Sequence, residues 1–357
     1  MRVYNFSAGP SVLFEDALLE AQKNMFSYGD TGMSVAEMSH RSKAYEEIQN
    51  EFVATLKELL NVPDTYEILL LQGGASQQFD AVPLNLLKKG KADYVITGHW
   101  SERALAQAVP YGDIKAVASS KEATFTYIPE LPDNIFRPDT DYVHITTNNT
   151  IYGTKYTTLP NTPSPIVADM SSNILSEKID VEKFGLIYAG AQKNLGPAGL
   201  TVVVIRKDLI TKELPNCPKM LNYYTQSSAA SLFNTPPCLA IYLSMLNARH
   251  LKKLGGVSAI QKINEEKAAL LYDFVDNSAF YVNHVNKKDR SLMNIPFLSP
   301  NAELDKKFIK EAAEQGLVTL AGHKTVGGMR ASIYNAMPIE GVKKLIGFMK
   351  KFETENK

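Results

Sequence analysis

The sequence predicts an α/β protein, with a mostly parallel, doubly wound sheet in a large unit and a small C-terminal α+β unit. Three observations carry this. Short β-rich runs recur at 66–71, 92–97, 114–118, 142–147, 165–169, 186–188 and 201–205, with helical or loop segments between them; such alternation builds parallel sheets. Past Gly255-Gly256 the pattern changes to long amphipathic helices with few strands, which marks a hinge or boundary. The chain has 357 residues, 45% of them hydrophobic and 21% charged, enough for a large core and two domains. Their expected extents are 15–255 for the large domain, and 1–14 with 256–357 for the small one.

Asn5-Phe6-Ser7-Ala8-Gly9-Pro10 is turn chemistry, and a short helix is expected at 14–26. A glycine-rich loop covers 29–34, and Ser39-His40-Arg41-Ser42 then leads into an amphipathic helix whose apolar face carries Tyr45, Ile48, Phe52, Leu56 and Leu59. His40 and Arg41 sit at that junction, where an arginine is usually a solvated charge but can also hold an anion. The strand Tyr66–Leu71 runs into Gln72-Gly73-Gly74-Ala75-Ser76-Gln77 and a helix from about 77 to 87. Strand, small-residue turn, helix can be a plain connection, yet it also offers free N–H groups and a positive dipole end to a phosphate. Trp100 follows the strand at 92–97, and Thr147-Asn148-Asn149-Thr150 closes the next. Both fall at the strands' carboxyl edge, where open α/β sheets bind ligands.

A proline-rich connection follows Ile205, then Asn234-Thr235-Pro236-Pro237 and a helix from 238 to 254. The helix from about 258 to 275 is long enough to bridge two domains. The rest reads as strands near 280–283, 291–298 and 317–321, a helix at 302–315 and a final helix at 339–354. In Gly328-Met329-Arg330-Ala331-Ser332-Ile333-Tyr334, Met329, Ala331 and Ile333 alternate with Arg330, Ser332 and Tyr334, as in a strand with one buried face. Arg330 projects from the other face, and a planar guanidinium suits a carboxylate.

The most chemically informative stretch is 165–206. The run Ile166-Val167-Ala168 ends on Asp169, and Tyr188-Ala189-Gly190-Ala191-Gln192-Lys193-Asn194 is followed by Gly196-Pro197-Ala198-Gly199 and a second buried run. A solvated turn lysine and a helix-capping acid would fit these letters. An acid at a strand end facing a lysine among small residues also fits a pyridoxal phosphate (PLP) site, with Lys193 as the Schiff-base lysine and Asp169 opposite the ring nitrogen. Such a lysine needs its pKa lowered by burial or a neighbouring cation, and the ring nitrogen needs a carboxylate to stay protonated.

Lysine plus arginine balance aspartate plus glutamate at 38 each, leaving no electrostatic case for nucleic acid or an anionic membrane. No apolar run approaches ~20 residues, so no spanning helix is expected. The first residues lack a signal peptide's apolar core. Cys217 and Cys238 have no metal-ligand spacing, no metal is expected, and so few cysteines suit a reducing, cytoplasmic setting.

Together these segments resemble, nearly end to end, the phosphoserine aminotransferase family of fold-type I, class V PLP enzymes. The resemblance lies in Asn5–Pro10, Ser39-His40-Arg41, Ala168–Ser172, Ile187–Asn194, Asn234–Pro237 and Gly328–Pro338. It implies a transaminase that moves an amino group between glutamate and 3-phosphohydroxypyruvate, in L-serine biosynthesis. For some relatives 4-phosphohydroxythreonine, in pyridoxine biosynthesis, is a further substrate. It implies that Lys193 carries PLP and shuttles a proton, that Asp169 pairs with the ring nitrogen, that Trp100 stacks on the ring, and that Thr150 contacts the cofactor. Ala75, Ser76 and Gln192 would hold the cofactor phosphate, joined by Asn234 and Thr235 from the partner subunit of a homodimer. Arg330 would take the substrate α-carboxylate. His40 and Arg41 of the partner subunit, with His323, would take the distal anion. One departure is visible: many relatives have a basic residue in the phosphate turn, where this chain has Gly73-Gly74-Ala75-Ser76-Gln77-Gln78. Two rival readings are a cysteine desulfurase, which needs a reactive thiol such as Cys217 on a loop, and a PLP-binding scaffold without turnover.

Overall fold

β1 (Tyr4–Asn5) and α1 (Glu15–Lys23) open the chain in the computed structural model, which describes residues 2–357. α2 (Lys43–Leu60) begins where the Ser42 hydroxyl accepts from the Tyr45 N–H at 3.3 Å, and it buries the apolar face expected from its spacing. Then strand and helix alternate: β2 (Tyr66–Leu71), α3 (Gly74–Leu86), β3 (Lys91–Ile96), α4 (His99–Ala108), β4 (Asp113–Ser119), β5 (Tyr142–Thr146), β6 (Ile166–Asp169), β7 (Phe184–Gly190) and β8 (Thr201–Arg206).

The strands β2 to β8 form one seven-stranded sheet in the order β2-β8-β7-β6-β5-β3-β4. β8 is antiparallel to both neighbours and every other pairing is parallel, so six strands point the same way. Strands such as β7 are buried at every position, as parallel strands covered on both faces must be. Their alternation sorts the core into two layers. Ile68, Leu70, Ile145, Ala168, Ile187 and Val202 pack with α2 and with α6 (Cys238–Lys253), which follows the short α5 (Tyr223–Ser228). Leu69, Tyr94, Val167, Leu186, Tyr188 and Val203 pack with α3 and α4 on the opposite face.

α7 (Gly256–Asn277) joins the large sheet to the C-terminal part. Its Val257 and Ile260 belong to the first layer, while Ala268, Leu271 and Val275 belong to a separate core. That second core is completed by β9 (Asn294–Phe297), α8 (Ala302–Glu314), β10 (Leu317–Val318), β11 (Met329–Ser332) and α9 (Ile339–Asn356). The N-terminal segment joins it, because β1 pairs with β10 and Phe6 is buried there. No helix among the described residues is long and apolar enough to cross a membrane.

Several boundaries differ from the sequence reading. The expected strand at 280–283 is a single bridge, Val282 to Leu298, and 291–298 shortens to β9. α3 begins at Gly74 rather than Gln77, because Gly73 at φ 85° turns the chain directly into the helix. Ser332 and Tyr334 are buried along with Met329 and Ala331, since the second face of β11 meets the large unit instead of water.

Candidate active site

The six co-directional strands release their chemistry at one edge. β7 ends at Gly190, and the turn Ala191–Gly196 follows, with Leu195 and Gly196 N–H both donating to the Ala191 carbonyl. Gly196 has to be a glycine, because a Cβ there would lie 1.9 Å from the Ser244 hydroxyl of α6. In register beside β7, β6 ends on Asp169, which is buried and accepts from the Ser171 N–H at 2.9 Å. β5 leads into buried Thr150, and β3 leads through Gly98 into the first turn of α4, where Trp100 sits. The sequence placed Trp100 after a strand; it belongs to the helix that the strand feeds.

Lys193 brings these segments together. Its Nζ donates to Thr150 Oγ1 at 2.7 Å and lies 5.2 Å from the centre of the Trp100 ring. Burial pushes the amine down to about 8; the Asp169 carboxylate opposes that shift and Arg330 reinforces it. Arg330, on β11, donates from Nη1 to the Thr150 carbonyl at 3.2 Å. Thr150 therefore touches both cations, with its hydroxyl and its carbonyl.

The residues suit PLP on grounds visible in the chain. An aromatic face flanks the amine, and a carboxylate is buried beside it. A Cβ on Gly190 would lie 2.8 Å from the Gln192 amide oxygen and 3.4 Å from the Ala75 nitrogen, so Gln192 and the start of α3 meet at the end of β7. No side chain caps α3, leaving the first-turn N–H groups, including those of Ala75 and Ser76, free for a phosphate. Trp100 Nε1 and Arg330 Nε are buried without a protein partner, as expected of groups that face a ligand.

His323 lies across from α4, with its ring centre 6.1 Å from that of His99. Its Nδ1 shares a hydrogen bond with the Thr325 hydroxyl at 2.8 Å and accepts from the Thr325 N–H at 3.3 Å, which leaves Nε2 for an anion, as a donor in the tautomer whose proton it carries. Burial, Arg330 and His99 hold its pKa below the usual histidine value. His40 and Arg41 are not drawn to Lys193 within this chain. Arg41 is exposed, its N–H donates to Ser39 Oγ at 3.2 Å, and it has no ion-pair partner among the described residues. Asn234 and Thr235 are exposed too, although the Thr235 carbonyl accepts from Gln72 Nε2 at 2.7 Å, beside the glycine turn.

Sequence reasoning missed three contributors. The Ser11 N–H donates to the Gln192 carbonyl at 3.0 Å and the Ser11 hydroxyl to that of Lys193, so the N-terminal segment braces the lysine turn. His99 packs against Trp100. Beneath Asp169, Tyr188 shares a 2.8 Å hydrogen bond with His144. The Asn5–Pro10 turn was the only local signal for the first of these. Burial pushes both thiols, Cys217 and Cys238, up from the usual cysteine value, opposite to what a sulfur-transferring nucleophile needs.

The chain matches the class-V aminotransferases over residues 3–345. That class agrees with the sheet, the carboxyl-edge site and the buried lysine. It is 55% identical to phosphoserine aminotransferase of Bacillus cereus, over 100% of this chain and 99% of that one. A solved phosphoserine aminotransferase studied for radiation damage of its Schiff base superposes with a TM-score of 0.96 at 49% identity, covering 99% of both chains. The PLP-bound enzyme of Trichomonas vaginalis superposes with a TM-score of 0.93 at 38% identity, covering 98% of this chain and 100% of that one. The chain belongs to the phosphoserine aminotransferase family, whose members are PLP-dependent transaminases.

The lowered pKa of Lys193 sets a pH dependence. Below about 8 the amine is protonated and unreactive, and above it the free amine attacks an aldehyde. Capture of added PLP by cofactor-free protein is therefore expected to rise through pH 8 and level off, whereas a solvated lysine would keep rising toward ~10.4. Stopped-flow absorbance across this range measures it.

Proposed function

We propose that this protein transfers the amino group between L-glutamate and 3-phosphohydroxypyruvate, giving O-phospho-L-serine and 2-oxoglutarate. The observation that carries the reading is the Lys193 amine, buried between Trp100, Asp169 and Arg330 and held by Thr150. PLP supplies an electron sink and a temporary carrier for the amino group. Lys193 would hold it, and its free amine would move a proton on and off the substrate Cα, a task suited to an amine titrating near 8. Asp169 keeps the ring nitrogen protonated, Trp100 covers the ring, and Thr150 holds the lysine amine. Ala75, Ser76 and Gln192 bind the cofactor phosphate, with Asn234 and Thr235 of the partner subunit.

Both amino-acid substrates carry two anionic ends, so one pair of clamps serves both half-reactions. Arg330 takes the α-carboxylate. His323, with His40 and Arg41 of the partner subunit, takes the distal phosphate or carboxylate. Support for a homodimer comes from the exposure of Arg41, Asn234 and Thr235, and from the bare apolar surface of Met25, Met33 and Phe26, the last 91% exposed. The large domain is 15–255, and the small one is 1–14 with 256–357; the separate second core supports that division. The two free cysteines suit a cytoplasmic enzyme of serine biosynthesis.

A panel of keto acids run against glutamate tests the substrate, and includes the keto acid of 4-phosphohydroxythreonine. Preference for an unphosphorylated acceptor such as pyruvate would sink the proposal. The clamps separate by substrate. Arg330→Ala is expected to weaken phosphoserine, glutamate and alanine alike, while Arg41→Ala weakens the first two and spares alanine. A charge-assisted bond is worth ~1.5–3 kcal/mol, so each loss is expected to be roughly ten- to a hundred-and-fiftyfold in kcat/KM. Equal losses for alanine and phosphoserine in Arg41→Ala would overturn the distal-anion role.

A further inference from the structure

Lys267 has no role in the chemistry above, yet it is a wholly buried lysine in the middle of α7. No carboxylate pairs with it among the described residues. Its Nζ instead donates to three backbone carbonyls, of Ile333 at 3.0 Å, Tyr334 at 2.8 Å and Met337 at 3.0 Å. Burial alone pulls this amine down to about 7. The carbonyls oppose it, because only an ammonium has three N–H donors for three acceptors. Packing does not explain such a group: an apolar side chain of the same length would fill the space without desolvating a charge, but it would leave the carbonyls unpaired.

Those carbonyls belong to the turn that directly follows β11, the strand bearing Arg330. The same turn reaches the lysine segment: the Asn335 N–H donates to Oδ1 of Asn194, the neighbour of Lys193, at 2.9 Å. Asn264, one helical turn before Lys267, donates to Asn335 Oδ1 at 2.8 Å, and the Tyr334 hydroxyl donates to the Ala8 carbonyl at 2.8 Å. We propose that Lys267 is a positioning residue, whose buried ammonium locks the 333–337 turn and so fixes Arg330 relative to Lys193. The inference rests on Arg330 being the α-carboxylate clamp.

The test uses the holoenzyme of Lys267→Met, with Arg330→Ala in parallel. Cofactor content and the visible absorbance band are expected to stay as in the wild type, because Lys267 touches no proposed cofactor-binding residue. KM for phosphoserine, glutamate and alanine is expected to rise by a common factor of roughly ten- to a hundredfold, as when a binding group is displaced by a fraction of an ångström to an ångström. A folded Lys267→Met with a lower Tm but unchanged KM values would overturn the positioning role, as would a rise for phosphoserine without one for alanine. Should that variant be insoluble, Lys267→Gln, which keeps two N–H donors, takes its place under the same criteria. If neither variant yields folded holoenzyme, Lys267 is a folding requirement and the proposal fails. If Arg330→Ala itself leaves the KM values unchanged, the carboxylate reading fails and takes this inference with it. If only Lys267→Met does so, this inference alone falls.

Discussion

Lys193→Ala is expected to fold and to bind PLP without attaching it. Its side chain makes one side-chain hydrogen bond, to Thr150, and the turn is held by backbone bonds from Ser11, Leu195 and Gly196 that alanine keeps. The groups proposed to hold the cofactor phosphate remain. What disappears is the proposed tether and proton carrier. Losing a positioned acid–base group costs roughly a hundred- to ten-thousandfold, and losing the covalent link adds to it, so turnover should fall by at least the upper figure. Borohydride reduction followed by peptide mapping reads this directly. In the wild type the cofactor should be fixed to the peptide containing Lys193, and in the variant to none. Attachment to any other lysine would remove the basis of the site described here.

Mixing Lys193→Ala with Arg41→Ala is expected to raise phosphoserine turnover well above the sum of the two variants assayed apart, of which Lys193→Ala is inactive and Arg41→Ala strongly impaired. If Arg41 serves the neighbouring subunit, each mixed dimer has one site with both lesions and one with neither. Random pairing makes half the dimers mixed, so activity should approach about a quarter of the wild-type value, as two-fold symmetry requires for sites completed across the interface. If Arg41 acts within its own chain, every mixed site carries a lesion and activity stays at the residual level of Arg41→Ala. Subunit exchange is monitored separately with differently tagged chains. A mixture that exchanges and stays at that residual level would refute the shared site. The prediction depends on the exposure of Arg41 and on the lack of an ion-pair partner for its guanidinium among the described residues.

Much of this was legible in the sequence. Strands of the sheet announce themselves as short apolar runs between polar turns, and most lie within two residues of their expected positions, because parallel strands must be apolar on both faces. Asp169 and Lys193 stand out because an acid ending one such run and a lysine in the turn after another fall at the same edge of any doubly wound sheet. The small strands of the C-terminal unit were harder to place. β10 has two residues, and the run at 280–283 makes only one bridge, so neither holds a period long enough to read.

Local pattern was enough to set the α/β class, the order of the elements, the lysine and its acid, and the arginine on the last strand. These depend on local pattern, which the side-chain period of a strand or helix imposes directly. Which distant groups meet follows from the packing of the folded chain. Thr150 lies between Lys193 and Arg330, Ser11 braces the lysine turn, His99 packs against Trp100, and Lys267 holds a turn more than sixty residues away through its backbone carbonyls. None of these leaves a local trace, because each is made by packing between elements far apart in the chain. The lowered pKa of Lys193 is of the same kind, since burial sets it and burial belongs to the folded chain as a whole.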